Sequence, residues 1–510
     1  MLNQRASGIL VHPSSFPSNG GIGDLGPAAY QFIDFLAASR QTLWQILPLG
    51  PLGIGNSPYS STSAFAGNTL LISLERLAKR GLISRDRVRS LPDSVSAVDY
   101  QRVLESKLPM LVEAARSFFS GGHDRSAYEK FRQDNSWWLE DFVVFDLLRR
   151  RYNGASWNTW PHEFAHRDPA ALEKLRCETD EELDIARYLQ FAFFEQWRAL
   201  RAYAHSRHVR IVGDVAIFVS YDSADVWTHP EVFRLNPDRD PQVVAGVPPD
   251  AFSATGQRWG NPLYDWAALR SRGYDWWVQR IRWALHTCDI IRLDHFRGFE
   301  QYWEIPASEP TAVHGRWVDG PKDDLFRVLR ETLGDLPFIA EDLGLITAEV
   351  HALRERLHIP GMRVMQFGFG DPGAHIYLPH KFESNTVVYT GTHDNDTTLG
   401  WWNSQAQKHE REHALAYLGE AKDGVHWGFI RAAEASIANL CILPIQDILG
   451  LDSDARMNTP SRSDGNWTWR YQPGLLTEDL AARLRLVTEV SDRVLDSGQP
   501  AYYSDNDYAA

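Results

Sequence analysis

Eight short apolar runs, rich in β-branched residues and bounded by Gly, Pro or polar turns, recur along this chain, and amphipathic helical stretches separate most of them. Such runs predict buried strands. Parallel strands are buried on both faces and need long crossovers, so the alternation predicts an α/β fold, a (β/α)8 TIM barrel with large, mostly helical insertions between strands. The predicted strands are Ser7–His12, Thr42–Leu49, Arg210–Phe218, Asp289–Asp294, Pro337–Leu343, Arg363–Phe367, Thr386–Thr390 and Leu440–Ile445.

The uneven spacing of these runs predicts one catalytic barrel over residues 1–510 that carries two insertions. The longer insertion, residues 50–208, follows the second strand, and its periodic segments Leu70–Arg80, Tyr100–Phe119 and Ser136–Arg151 predict a helical subdomain. The second insertion, residues 221–277, follows the third strand. It is richer in Pro, Gly and Asp, which predicts a loop-like lid or substrate-loop subdomain.

Composition narrows the classes of partner. The formal net charge is −14 and no long basic run occurs, which argues against a nucleic-acid partner, because phosphate binding depends on clustered Lys and Arg. The three cysteines are far apart and form no disulfide framework, as expected in a reducing compartment. The N-terminal segment lacks the apolar region of a secretory signal, and no apolar stretch is long enough for a membrane helix. We therefore expect a cytoplasmic protein without a membrane partner.

Three acids follow three predicted strands. Asp294 ends the fourth strand, Glu341 follows the apolar part of the fifth, and Asp394 comes after the seventh. In a parallel barrel, catalytic groups lie at the C-terminal ends of the strands and in the loops that follow. A single aspartate at such a place is more often a helix cap or an ion-pair partner. Three acids from three strand ends meet at one opening, and this favours a catalytic site.

The neighbours of these acids indicate glycosyl transfer. Side chains alternate along a strand, so Arg292 lies on the same side as Asp294, and a guanidinium beside a carboxylate keeps that carboxylate ionised, as a nucleophile requires. Burial and other carboxylates are expected to raise the pKa of Glu341, which suits a general acid and base. Asp394, beside His393, is placed to stabilise a positively charged sugar. Retention through a covalent glycosyl-enzyme requires that the two carboxyls lie roughly 5 Å apart, a distance that the residues alone do not set.

Longer segments carry a family resemblance. RLDHFRG, IAEDLG and GTHDND resemble the strand-end regions of the α-amylase clan. SGILVHPSSFPSNGGIGDLG, SPYSSTSAFAGN, GDVAIFVSYDSADVW and GVPPDAFSATGQRWGNPLYDW resemble the amylomaltases, or 4-α-glucanotransferases, and the resemblance spans nearly the whole chain. It implies a disproportionating enzyme that transfers segments of α-1,4-glucans (maltooligosaccharides, starch or glycogen) to the 4-hydroxyl of an acceptor glucan or glucose.

The resemblance also implies roles for single residues. Asp294 is the expected nucleophile, Glu341 the acid/base and Asp394 the transition-state stabiliser. The lid segment Phe252–Trp259 and the segment around Trp467 and Trp469 are expected to bind the acceptor and limit water. Asp214, at the end of the third strand, is equally consistent with structural support and with ligand contact. The expected substrate-binding residues are Tyr59, Asp214, Gln257, Trp259, Arg292, Asp371, His393 and Asn466.

Other functions were weighed against this one. Gly21, Gly23 and Gly26 match G-x-G-x-x-G, but no acid ends the next strand, so we expect no dinucleotide. Asp452 and Asp454 suggest a calcium loop that lacks its Gly and closing Glu, and we expect no metal and no cofactor. An α-1,4-glucan hydrolase, a non-catalytic glucan-binding barrel and a metal-dependent barrel hydrolase remain alternatives. Residues alone do not separate transfer from hydrolysis, because the two differ only in the hydroxyl that arrives second.

Overall fold

Eight parallel strands close into a barrel in this computed structural model, which describes residues 2–91, 97–249, 253–420, 422–460, 462 and 464–494. All eight predicted strands are confirmed, and the first pairs with the last to complete the closure. The barrel strands are β1 (Ala6–Leu10), β2 (Leu43–Gln45), β3 (Arg210–Ala216), β4 (Ile290–Asp294), β5 (Phe338–Ala340), β6 (Gly361–Val364), β7 (Thr386–Tyr389) and β8 (Leu440–Pro444).

Most strands end earlier than predicted. The prediction carried the second strand to Leu49 and the fifth to Leu343, whereas β2 ends at Gln45 and β5 at Ala340. Apolar residues such as Ile46 and Leu47 stay buried beyond the last ladder pair, so hydrophobicity alone does not mark the end of a strand. Glu341 is therefore the first residue after β5, where its side chain is free to reach the opening of the barrel.

Helices surround the barrel and fill the chain between β2 and β3. The predicted helical segment Ser136–Arg151 has these bounds in the structure, and another helix covers Tyr100–Ser120. The α-helices are Pro27–Ala38, Leu74–Lys79, Arg85–Arg89, Tyr100–Ser120, Ser126–Asp134, Ser136–Arg151, His162–Ala165, Pro169–Glu178, Asp180–Ser206, Ala224–Thr228, Trp266–Ser271, Asp275–Thr287, Lys322–Leu333, Ala348–Arg356, Thr398–Gly400, Lys408–Leu418, Val425–Ala435, Ile445–Ile448 and Glu478–Val490.

A four-stranded antiparallel sheet lies outside the barrel, and the sequence did not predict it. Its strands, in spatial order, are Gln257–Pro262, Val243–Val247, Gln301–Pro306 and Arg316–Asp319. The expectation of a loop-like segment at 221–277 is thus wrong for the two strands inside it. Both edge strands are largely exposed and lack apolar alternation. The two central strands, Val243–Val247 and Gln301–Pro306, come from either side of β4 in the chain. Exposed strands that pair over a long sequence separation have no local hydrophobic pattern from which they could be predicted.

The core is continuous from the barrel interior into the helical layer and is rich in aromatic side chains. Trp44, Trp157, Trp227, Trp277 and Trp427 are fully buried in this core. Within the described ranges, no helix combines the length and the apolar character that crossing a membrane requires.

Candidate active site

Arg292 links two carboxylates at the C-terminal ends of β3 and β4. Its Nη1 lies 2.9 Å from Oδ1 of Asp294 and 2.7 Å from Oδ2 of Asp214. The register of β3 against β4 pairs Asp214 with Arg292 and Ala216 with Asp294, which brings the three side chains together. The side chain of Asp294 is 29% exposed, whereas that of Asp214 is fully buried. Asp294 therefore faces the opening and Asp214 lies beneath it.

Asp214 is held by two donors. The hydroxyl of Tyr59 donates to its Oδ2 over 2.8 Å, and Nη1 of Arg292 contacts both carboxylate oxygens. Burial raises the pKa of Asp214 to about 6, although Arg292 opposes the shift. Asp214 is therefore charged at neutral pH, and it aligns Arg292 and Tyr59.

Glu341 is fixed by two backbone donors. The N–H of His295 bonds to its Oε2 over 2.9 Å and the N–H of Leu343 to its Oε1 over 2.8 Å. His295 adopts a left-handed conformation with φ of 55°, which is uncommon for a residue with a side chain and points its N–H at Glu341. The chain just after β4 thus sets the position of the carboxyl just after β5.

The protonation of Glu341 is shifted towards the neutral acid. Burial, and then the charge of Asp294, raise the pKa of Glu341 to about 7, while Arg292 and the two backbone N–H groups act in the opposite direction. The charge of Asp294 thus acts on Glu341 in addition to burial. One acid with a raised pKa beside another in contact with a guanidinium is the asymmetry that glycosyl transfer by two carboxyls needs.

Asp394 approaches from the loop after β7 and is the most open of the three acids, with 47% of its side chain exposed. Nδ2 of Asn458 donates to its Oδ1 over 2.6 Å, and Nη2 of Arg456 donates to its backbone carbonyl over 2.6 Å. Nε2 of His393 lies 3.4 Å from the same Oδ1. These contacts orient the carboxylate and leave its second oxygen to the opening.

An aromatic wall stands beside Asp394. The ring of Tyr59 stacks on that of His393 with centroids 5.2 Å apart, and Trp467 packs 5.9 Å from both rings. Burial, and then the charge of Asp214, raise the pKa of Tyr59, so that the phenol keeps the proton it donates. Trp467 adopts a left-handed backbone with φ of 63°. The sequence predicted that the segment around Trp467 binds the acceptor and limits water, and the structure places Trp467 against two of the predicted site residues, Tyr59 and His393.

The exposed edge strand Gln257–Pro262 reaches the site through Trp259. Its indole packs edge-on against the ring of His295 with centroids 4.9 Å apart, and its Nε1 donates to Oε1 of Gln257. Trp259 is 39% exposed and so remains open to a ligand. His295 was not among the predicted site residues, although its place directly after Asp294 was a usable signal. Phe252, in the predicted lid segment, lies outside the described residues.

Two predicted residues are not joined to the three acids by any contact within the described part of the chain. Asn466 uses its side chain to hold its own loop, with Oδ1 accepting from the N–H of Thr459 and Nδ2 donating to the carbonyl of Arg462. Asp371 is exposed and precedes the short helix Pro372–Tyr377. In the same described residues, no group of three or more His, Cys, Asp or Glu side chains is arranged to hold a metal ion.

Comparison with known proteins gives consistent results. A family model described as 4-alpha-glucanotransferase matches residues 11–477. The 4-alpha-glucanotransferase of Synechocystis sp. is 46% identical over 500 residues, 97% of this chain and 99% of that protein. The 4-alpha-glucanotransferase of Thermus thermophilus is also 46% identical over 500 residues, which cover 96% of this chain and 99% of that protein. An amylomaltase from Streptococcus agalactiae, solved in complex with acarbose, has a TM-score of 0.93 at 38% identity, covering 96% of this chain and 100% of that one.

Proposed function

The chain belongs to the 4-alpha-glucanotransferase family, and from that premise we propose that Asp294, Glu341 and Asp394 carry out the transfer by double displacement. Asp294 attacks the anomeric carbon of a bound α-1,4-glucan while Glu341 gives its proton to the departing sugar oxygen. The 4-hydroxyl of an acceptor then attacks the covalent glycosyl-enzyme, Glu341 takes the proton of that hydroxyl, and Asp294 is released. Two inversions at one carbon retain the α-configuration.

The observation that carries this proposal is the contrast between two neighbouring carboxyls. Glu341 has a pKa raised to about 7, whereas Asp294 is in contact with the Arg292 guanidinium at 2.9 Å. A general acid must hold a proton when the leaving oxygen departs, and a nucleophile must be anionic at the same moment. We assign Asp394 to the transition state, because its exposed carboxylate oxygen is placed to stabilise a developing oxocarbenium ion.

We propose that α-1,4-glucans such as maltooligosaccharides, starch or glycogen bind along the aromatic side chains of the opening. Tyr59 and Trp259 are partly exposed and present ring surface, which suits the C–H faces of pyranose rings. His393, stacked behind Tyr59, offers a ring nitrogen beside Asp394. Arg292 and Asp214 support the nucleophile from beneath. We keep Gln257, Asp371 and Asn466 as proposed contacts to sugars farther from the cleaved bond. The expected cytoplasmic location likewise stays a prediction.

Replacement of Asp294 tests the proposal. Wild-type protein incubated with maltotriose is expected to release glucose and form longer chains while the total of reducing ends stays constant, whereas a hydrolase raises that total. Asp294→Asn keeps the size of the side chain but removes its charge, and should lower the rate by at least about 10³-fold. Asp86→Asn, which changes an acid with 93% of its side chain exposed on the helix Arg85–Arg89, is the matched control. Near wild-type transfer by Asp294→Asn would refute the assignment.

A further inference from the structure

A small cavity lies beside His393, between the chain segments that follow β1, β7 and β8. His12, Ser15, His393 and Gln446 are among the residues that line it. Its water-accessible volume is about 20 Å³. By that measure a site needs about 10–15 Å³ to hold one water molecule, so the cavity has room for one.

Three buried polar atoms belong to the residues around this cavity and have no hydrogen-bond partner among the described residues. They are Nδ1 of His12, Oγ of Ser15 and Nδ1 of His393, on residues that are 4%, 1% and 7% exposed. A buried polar group without a hydrogen-bond partner destabilises the folded protein. Buried waters typically make about three hydrogen bonds, so one water accounts for all three atoms.

The chemistry of the three groups fixes the direction of these bonds. Burial, and then the proximity of His393, lower the pKa of His12 to about 3, so the imidazole of His12 is neutral and one of its nitrogens is an acceptor. In its neutral form the imidazole of His393 carries one proton, and its Nε2 lies 3.4 Å from the carboxylate Oδ1 of Asp394. That carboxylate favours a donor, which leaves Nδ1 of His393 to accept from the cavity. The hydroxyl of Ser15 is a donor as well as an acceptor and completes the set.

We propose that one ordered water in this cavity accepts from Ser15 and donates to Nδ1 of His12 and of His393, so that His12 is a positioning residue that keeps the His393 proton on Nε2. His393 then presents an N–H to Asp394 and to the bound sugar, while its ring stays stacked on Tyr59. The inference deepens the proposed function, because it rests on the role of Asp394 in the transfer. Nothing in it requires His12 to touch the glucan.

The tautomer of His393 is a direct test on the unliganded wild-type protein. Ring nitrogen-15 shifts, with the His393 signals identified by their loss in His393→Gln, should show a protonated Nε2 and an unprotonated, hydrogen-bonded Nδ1. A proton on Nδ1 would overturn the proposal whether or not the His12 and Ser15 variants fold. The measurement uses no glucan, so its outcome is independent of the test of Asp294. Activity of Asp294→Asn would defeat the proposed function and leave the tautomer result intact.

Substitutions at His12 and Ser15 supply the second test. His12→Leu should lower kcat/KM for maltotriose about tenfold and turn the His393 signals into a tautomer mixture, since the water loses an acceptor. His12→Asn places an amide oxygen where Nδ1 lies and should retain activity within about twofold. Equal losses in the Leu and Asn variants, with an unchanged tautomer, would show a packing role and overturn the proposal.

A double variant tests whether His12 and Ser15 act through the same water. Ser15→Ala acts on the same water as His12→Leu, so the losses in the double variant should fall short of the product of the single losses. Fully multiplicative losses would count against a shared water.

His426 supplies a control. It also carries a buried Nδ1 without a partner among the described residues, but it lies in the helix Val425–Ala435 and outside the cavity lining. His426→Leu should leave kcat/KM unchanged.

Discussion

The backbone N–H of His295 donates a 2.9 Å hydrogen bond to Oε2 of Glu341 and so ties the residue after the nucleophile to the acid/base. The left-handed conformation of His295 orients this N–H towards Glu341. For a residue with a side chain, this conformation is strained by about 1 kcal/mol. The chain segment at the end of β4 thus carries the proposed nucleophile and also supplies one of the two backbone donors to the proposed acid/base.

Glu341→Gln should separate the two halves of the reaction. The variant lacks the proton donor and is expected to lose at least about 10³-fold in rate on maltotriose. On a maltosyl fluoride donor it should still form the glycosyl-enzyme, because fluoride departs without a proton. Fluoride release and the mass of the adduct on Asp294 measure this step. Asp294→Asn serves as the control without a first step, and equal loss of Glu341→Gln on both donors contradicts the assigned role.

The pH dependence should follow the raised pKa of Glu341. The free enzyme holds the required proton below pH 7, since the pKa of this carboxyl is raised to about 7 from its ordinary 4.5. For a glucan donor, kcat/KM should therefore fall as the pH rises through about 7. With the fluoride donor the rate of glycosyl-enzyme formation should not show this fall. If the rate falls at high pH with both donors, the titrating group is not Glu341.

Tyr59 combines a stacking surface with a hydrogen bond, and two variants separate them. Tyr59→Phe keeps the stack on His393 but loses the donor to Asp214, and we expect a loss of up to about tenfold in kcat/KM. Tyr59→Ala loses both, and we expect a loss of at least about 100-fold. Kinetics on maltotriose, with thermal unfolding to detect destabilisation, measure the two. A Phe variant as impaired as the Ala variant would place the whole effect in the hydroxyl.

Trp259 should influence the choice between acceptor sugar and water. Its ring covers His295, whose backbone holds Glu341, so Trp259→Ala is expected to admit water beside the glycosyl-enzyme. The ratio of hydrolysis to transfer should rise, measured as new reducing ends per glucose transferred from maltotriose. Trp259→Phe retains an aromatic ring and should stay close to wild type. An unchanged ratio in Trp259→Ala would remove this residue from water exclusion.

The amino-acid sequence by itself determined the barrel and the acids. Each barrel strand is buried on both faces and therefore appears in the sequence as an apolar run. Asp294 ends one such strand, Glu341 directly follows another, and Asp394 lies in the loop after a third. Only the tertiary structure decided which groups contact these acids and shift their pKa values. The contact of Arg292 with both Asp214 and Asp294 depends on the register between β3 and β4, which no single segment encodes.

The same reason explains what the sequence did not reveal. The edge strand that carries Trp259 is largely exposed, so its residues show no apolar alternation. His295 and Trp467 join the site through a left-handed backbone conformation that residues with side chains do not favour. The cavity beside His393 is formed by segments more than 300 residues apart in the chain. Local hydrophobic pattern determines where strands form, and long-range packing determines what their ends touch.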